Sequence, residues 1–431
     1  MRGLSRIAWL GREAVFAAGV LARMVYEHLP EPARRLAWRW LRGRRAPAMP
    51  ASTAPLSLAA RDRAILVIDA HTPRLGQDAA SLATIELLRA VEDLGYAARF
   101  AAVEGPAYAG GDSEALRQAG VATIHPPEDR SLADHLRRAG EGIAAVVLVR
   151  HGVARRWLEP IRRALPGRPV LFLDADLHSL REARRAEVAD SPVLAWSARR
   201  TKRLELSVID RVDATIVHSP VERDLILEER PKVRVQVWVW PVEPKPTPKP
   251  FELRRDLVFL GGYRHPPNLD GARWFVGSVL PLIRRDLPDL CLRLVGSNPS
   301  RALADLAGEG VVVVGPVDDL SQEFGNARLF VAPLRYGAGL KGKVLDAVAF
   351  GLPTVLTSIA AEGSGFEHEL DTLIADTPVA FAEAVSRLYR DADLWARLRE
   401  ASLRRLGRSF SRQVQTKSLA ELFIKLDLPV N

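Results

Sequence analysis

A chain of 431 residues, 48% hydrophobic and 26% charged, is long enough for two domains with full cores and too hydrophobic for a disordered polymer. Its single cysteine, Cys291, excludes a disulfide framework or a cysteine metal cluster and fits a reducing compartment. The net charge of +9 suggests a nucleic-acid binder, but residues 1–45 carry ten Arg and three Glu, a net of +7, which leaves only about +2 for the rest of the chain.

The first predicted element lies in that basic end. Ile7, Leu10, Phe16, Val20, Leu21 and Met24 fall near helical spacing, with Arg6, Arg12 and Arg23 among them. The uncharged run Ala14 to Ala22 is too short to span a bilayer, and no signal-peptide cleavage pattern comes after it. Two readings stay open: a basic amphipathic helix on an anionic membrane surface, or a helix packed on its own domain or on a partner chain. The tail lacks the aromatic spacing of a base-stacking surface, so no nucleic-acid partner is expected. The Pro/Ala-rich residues 46–60 read as a linker, which closes an extension of residues 1–60 and isolates it from the domain that begins at residue 61.

Strands and helices then alternate. Ala64–Asp69, Ala144–Val149, Val170–Leu173 and Ala214–Val217 are short apolar runs typical of buried parallel strands. Helices are predicted near 81–94, closed by Gly95, and near 153–165 and 179–210. Five prolines within 241–256 mark a stiff connector between a first domain, 61–240, and a second, 257–405. In the second domain strands are expected at 257–260, 290–295 (with Cys291 inside), 311–314, 329–332 and 354–357, and a helix at 379–405. The end, 406–431, is expected to form a helix returning toward the first domain. The fold class is therefore α/β, two Rossmann-like parallel-sheet domains facing a cleft, with ligands at the carboxyl ends of the strands.

The segment from Pro333 to Ala347 carries the most chemistry. Gly337, Gly339 and Gly342 let backbone N–H groups approach an anion, and the helix that starts there adds partial positive charge. Lys343 supplies a full charge, and Asp346, one turn on, faces the same side and offers a carboxylate to a ribose diol. Only eight of the 61 basic residues are lysines, and Lys341 and Lys343 are two of them, as expected where a compact point charge matters. Gly337-x4-Gly342-Lys343 also matches the start of a P-loop, but Val344 stands where a magnesium-binding Ser or Thr is needed.

These residues resemble family 4 glycosyltransferases of the GT-B fold. The resemblance runs through Leu260-Gly261-Gly262-Tyr263-Arg264-His265-Pro266-Pro267-Asn268, Leu294–Ser297, Gly315-Pro316-Val317, the 333–346 loop and Gly351–Thr357. In the first half it includes Leu75–Ser81, Asp176-Leu177-His178-Ser179-Leu180-Arg181 and His218–Glu222. It implies a retaining, metal-independent transfer of a hexose-like unit from a nucleoside diphosphate sugar to a glycan or lipid-linked acceptor of surface-polysaccharide synthesis. A cytoplasmic enzyme is expected, peripheral on the cytoplasmic membrane face if the membrane reading of residues 1–45 holds. No cofactor beyond the sugar nucleotide co-substrate is implied.

By the same resemblance Gly261, Gly262, Gly337, Gly339, Lys341, Lys343, Asp346 and Glu362 hold the donor. Arg264 and Lys343 stabilise charge on the leaving diphosphate, and His178 lies near the reacting sugar or acceptor. Glu367 and Glu369 come after Glu362 on the same loop, and His151 is a rival to His178. Asp174, Asp176 and His178 alternate as a metal triad could, a reading that the resemblance opposes. The loop departs from the family at one point. Ala338 occupies the first of two positions, separated by seven residues, at which many members carry glutamate, while Asp346 keeps a carboxylate at the second. Ala338 also sustains an alternative, a catalytically idle scaffold that binds glycan or partner enzymes.

Overall fold

The computed structural model describes residues 2–29, 33, 63–74, 79–104, 109–125, 129 and 131–430. The linker expected at 46–60, the arginines of 34–45 and Leu75, Gly76, Gln77 and Asp78 lie outside the described residues. The chain forms two compact units, one made of Met1–Leu75, Ala80–Trp238 and Thr416–Asn431, the other mainly of Val239–Gln415.

The first unit runs α1 (Arg2–His28), β1 (Ala64–Asp69), α2 (Ala79–Asp93), β2 (Ala97–Ala102), α3 (Gly111–Gln118), β3 (Ala122–Thr123), α4 (Leu132–Ala139), β4 (Ile143–Val149), α5 (His151–Ala164), β5 (Val170–Leu173), α6 (His178–Ala189), α7 (Pro192–Ile209), β6 (Ala214–Val217), α8 (Pro220–Glu229) and β7 (Val235–Val237). Its sheet is parallel, in the order β3-β2-β1-β4-β5-β6-β7. All residues of β1, β4, β5 and β6 are buried, which is why these strands read as unbroken apolar runs rather than alternating ones. The order reverses between β1 and β4. There the buried Asp69 at the end of β1 pairs with Arg150, 2.9 Å away, just past β4.

The helix expected at 179–210 is two helices. α6 ends at Asp190, in the left-handed region (φ 48°), and Ser191 caps α7 by accepting from the Leu194 amide, with Pro192 in the first turn. The helix expected at 379–405 divides in the same way, at Asp391.

α1 is part of the first unit rather than a detached tail. The Glu13 carboxylate is buried and accepts from Ser191 Oγ at 3.0 Å, Arg23 pairs with Glu182, and Arg185 stacks on Phe16. The stripe on that side holds Phe16, Val20 and Met24, all partly buried. Leu10 and Leu21, expected on the same apolar face, are instead exposed, with Ala14 and Val25.

The second unit runs β8 (Arg255–Leu260), α9 (Pro266–Trp274), α10 (Leu280–Arg284), β9 (Leu292–Val295), α11 (Arg301–Ala304), β10 (Val311–Gly315), α12 (Ser321–Asn326), β11 (Ala327–Ala332), α13 (Gly342–Ala349), β12 (Thr354–Leu356), α14 (Ser358–Ala361), β13 (Leu373–Ile374), α15 (Pro378–Arg390) and α16 (Ala392–Phe410). Its parallel sheet has the order β10-β9-β8-β11-β12-β13, so the reversal falls between β8 and β11. Cys291 lies just before β9 instead of inside it.

The proline-rich segment 241–256 is fastened to this unit. Lys245 and Thr247 donate their amides to Ala349 and Phe350 carbonyls, and the fully buried Arg254 donates to the carbonyls of Lys249, Phe324 and Ala327. α17 (Arg412–Ile424) comes after α16, and from Thr416 onward the chain belongs to the first unit.

Candidate functional site

In the second unit the loops after β8 and β11 flank the point where strand order reverses, the usual ligand position in an open α/β sheet. Backbones approach closely there. A Cβ on Gly296 (φ +133°) would lie 2.0 Å from the Gly261 carbonyl oxygen, and one on Gly261 would lie 2.9 Å from the Asn268 side chain.

Asn268, on α9, joins the two loops. Its Nδ2 donates to the Gly262 carbonyl at 2.9 Å, and its Oδ1 accepts from Lys343 Nζ. The Lys343 ammonium also lies 5.0 Å from the Phe259 ring centre. Burial, then the neighbouring Lys341 charge, lowers the Lys343 pKa to about 7 against the opposing effect of Asp346. Burial raises the Asp346 carboxyl to about 6, with Lys245 and Lys343 acting the other way.

Lys341 is buried, donates to the Gly339 carbonyl at 2.7 Å and lies 3.7 Å from Glu362 Oε1. Gly339 has a φ of +65°, and a Cβ on Gly337 would meet Ile359 and the Lys341 side chain at 3.5 Å. Two further contacts brace the loop. Arg335 forms a two-pronged pair with Asp270 of α9, and Thr357 Oγ1 donates to the Leu334 carbonyl at 2.6 Å.

The structure thus gathers Gly261, Gly262 and Lys343 around Asn268, sets Asp346 beside Lys343, and places Lys341 and Glu362 with Gly337 and Gly339. Arg264 is in the same β8 loop but exposed. Glu367 and Glu369 bind Arg405 and Arg387 away from this group.

In the first unit, the turn between β5 and α6 hangs from buried carboxylates. Leu177 N–H donates to Glu222 Oε1 at 2.8 Å, while His178 N–H and Ser179 N–H donate to Glu205 Oε1 and Oε2 at 2.8 and 3.1 Å. Burial pushes the Glu205 carboxyl up to about 7 against the lowering effect of Ser179. His178 Nδ1 is 3.0 Å from the Asp176 carbonyl oxygen, and the His151 ring meets the His178 ring edge-on at 4.8 Å. Burial holds the His178 pKa well below its usual value, with Asp176 opposing. Asp174 is fully buried, neither of its oxygens has a hydrogen-bond partner among the described residues, and its pKa is held well up by burial and by Glu205, Glu222 and Asp176.

Asp174, Asp176 and His178 are not gathered as ligands, since Asp176 pairs with Arg181. Among the described residues the set with close ligand atoms, within 4.8 Å of one another, is His151, His178 and Glu205. There Glu205 is already engaged by two amides.

Sequence reasoning missed Asn268 as a bridge and Glu205 and Glu222 as anchors. Glu205 did leave a signal. It stands in the stripe Leu194, Ala198, Thr201, Glu205, Val208, a charge where helical spacing calls for a buried residue.

Residues 254–391 match the family model described as glycosyl transferases group 1. A Klebsiella pneumoniae protein described as an uncharacterized 44.6 kDa protein in the cps region is 31% identical over 140 residues, 30% of this chain and 36% of that one, so the chain spans about a third of that relative. Two solved structures overlap over most of both chains. Sucrose-phosphate synthase from Thermosynechococcus elongatus has a TM-score of 0.65 and 16% identity, covering 85% of this chain and 99% of that one. HepE of Anabaena, in complex with UDP, has a TM-score of 0.63 and 13% identity, covering 84% of this chain and 100% of that one. At these identities the likeness establishes the fold, two Rossmann-like domains of the GT-B class.

Proposed function

We propose, from the match of residues 254–391 to the group 1 glycosyl transferase family model, that the chain transfers a sugar from a nucleoside diphosphate sugar to a glycan or lipid-linked acceptor. The observation that carries this reading is the Lys343–Asn268–Gly262 bridge at the reversal of the second sheet, beside the N-terminus of α13. A diphosphate there meets the Lys343 charge, the first-turn amides of α13 and the long side chain of Arg264. Asp346 accepts from the ribose hydroxyls, and Lys341 with Glu362 borders the sugar. The UDP in the HepE structure supports a uridine donor class, and the cps-region relative supports a surface-polysaccharide acceptor.

Transfer proceeds without a metal, because fixed cations and a helix terminus neutralise the departing diphosphate, and with retention, as the family resemblance implies. The acceptor is held by the first unit, with His178 near the reacting groups. The exposed Leu10, Ala14, Leu21 and Val25 of α1 and the +7 charge of residues 1–45 support docking on an anionic membrane surface. No helix among the described residues is long and apolar enough to cross a membrane.

The test is a panel of sugar nucleotides, read by calorimetry and by acceptor-dependent nucleotide release, with and without EDTA. Lys343→Ala is expected to weaken nucleoside diphosphate binding by about 1.5–3 kcal/mol, as for a hydrogen bond to a charged group. Unchanged affinity would remove the phosphate assignment. Donor binding without release in the presence of any acceptor would favour the idle scaffold, for which Ala338 is the specific argument.

A further inference from the structure

We infer that Glu205 of α7 is a positioning residue for His178, fixing the turn that carries it so that the ring presents an unprotonated Nε2 to a hydroxyl of the acceptor. The inference rests on the transferase reading above and goes beyond it by assigning His178 a definite tautomer and a residue that enforces it.

Three successive amides, of Leu177, His178 and Ser179, open α6. Such a helix start ordinarily attracts an anion from solution. Here it is filled from within by Glu222 and Glu205, which are 0% and 1% exposed, so no phosphate oxygen is needed at this end. A carboxylate suits the place because its two oxygens take two N–H groups at once. Glutamine would take one and turn its own N–H₂ against the other, leaving a buried donor unpaired.

This turn also decides the state of the ring. The Asp176 carbonyl can only accept, so the Nδ1 that faces it at 3.0 Å carries the proton, and a neutral His178 keeps its lone pair on Nε2. The charged and titratable groups around the ring are Asp176 from the turn, Arg181 from α6, His151 from α5, Glu205 from α7 and Arg23 from α1. His151 Nδ1 and His178 Nδ1 approach the same Glu205 oxygen, at 3.8 and 3.7 Å. Movement of Glu205 therefore disturbs both rings.

The test uses the full chain labelled with ¹⁵N at histidine. In the unaltered protein the His178 ring is expected as the neutral Nδ1–H tautomer at pH 7.5. Glu205→Gln is expected to give mixed tautomers, a shifted pH profile and a fall in kcat of about tenfold or more, as small misplacements of a reacting group produce. Donor affinity should hold, because the donor residues lie in the other unit. Glu205→Asp, which keeps both oxygens, should recover part of the rate. An Nε2–H or protonated ring in the unaltered protein overturns the inference. So does a folded Glu205→Gln protein with unchanged tautomer and pH profile. If Glu205→Gln does not fold, the unaltered spectrum and the aspartate variant still decide. The spectra need no turnover, so a chain that transfers no sugar would fail the transferase reading while the tautomer result stood by itself.

Discussion

At the scale of residues, Lys343 shows how burial becomes a pH dependence. Its folded pKa is about 7, against about 10.5 for a free lysine, because burial disfavours the ammonium. Between these values the unfolded chain binds more protons than the folded one, so this group makes the unliganded protein more stable as pH rises through that window. Asp346 acts in the opposite sense at lower pH. Its folded pKa, raised to about 6, makes stability fall as pH rises from the usual carboxylate range to that value. A diphosphate restores the preference of Lys343 for the charged form. Binding at pH 8.5 is therefore expected to take up a proton, seen as a buffer-dependent enthalpy in calorimetry, and Lys343→Met should abolish the uptake. Lysines, glycines and the aspartate of this loop were legible in the sequence because their chemistry is local, set by neighbours within a few positions. Asn268 and Glu205 were not, because their partners are 75 and 27 positions away and only folding brings them together.

At the scale of elements, α1 is both a piece of the first unit and an outward apolar surface. Periodicity alone found the helix, but it could not tell which of two apolar stripes meets the protein. The structure separates them: Glu13, Phe16, Val20 and Met24 face inward, while Leu10, Ala14, Leu21 and Val25 are exposed. Removing residues 1–28 deprives Ser191 of its buried acceptor, which costs about 1–3 kcal/mol for an unpaired buried group, less what water restores. The truncated protein is expected to fold with a melting temperature lower by several degrees, measurable by calorimetry. A chain lacking residues 1–45, and with them the whole +7, should also lose binding to anionic vesicles, while the full chain binds them less as salt is raised. Vesicle binding that survives truncation would place the membrane contact elsewhere. The divided helices 178–209 and 378–410 teach a related lesson. The Ser191-Pro192 and Asp391 caps were visible in the sequence, but the flanking apolar spacing was continuous enough to hide them.

At the scale of the whole molecule, the alternation of strands and helices showed the fold class, and the apolar runs located the central strands. The edge strands β3, β7 and β13 are two or three residues long, too short to carry such a signal, and appeared only in the structure. The end of the chain matters most for integrity. Leu419, Leu422 and Phe423 are 0–1% exposed, the Phe423 ring meets Tyr96 edge-on at 5.7 Å, and Tyr96 Oη donates to the Pro429 carbonyl at 2.6 Å. A chain ending at residue 415 is expected to leave this apolar surface bare and to show early, separate melting of its first unit, because losing buried large side chains costs about 2–5 kcal/mol each. A single unchanged transition would contradict this.

The return of Thr416–Asn431 to the first unit also sets an order of events during synthesis. A nascent chain emerges N-terminal end first, yet the first unit stays incomplete until residues 416–431 leave the ribosome. More than three hundred residues must be made while Tyr96 and its neighbours wait for Phe423. The second unit, made almost wholly of the single run Val239–Gln415, has no such wait and can close first. A product terminated before residue 416 would therefore carry a finished second unit and an unfinished first one with a sticky apolar flank. That is the kind of species which chaperones hold and proteases remove.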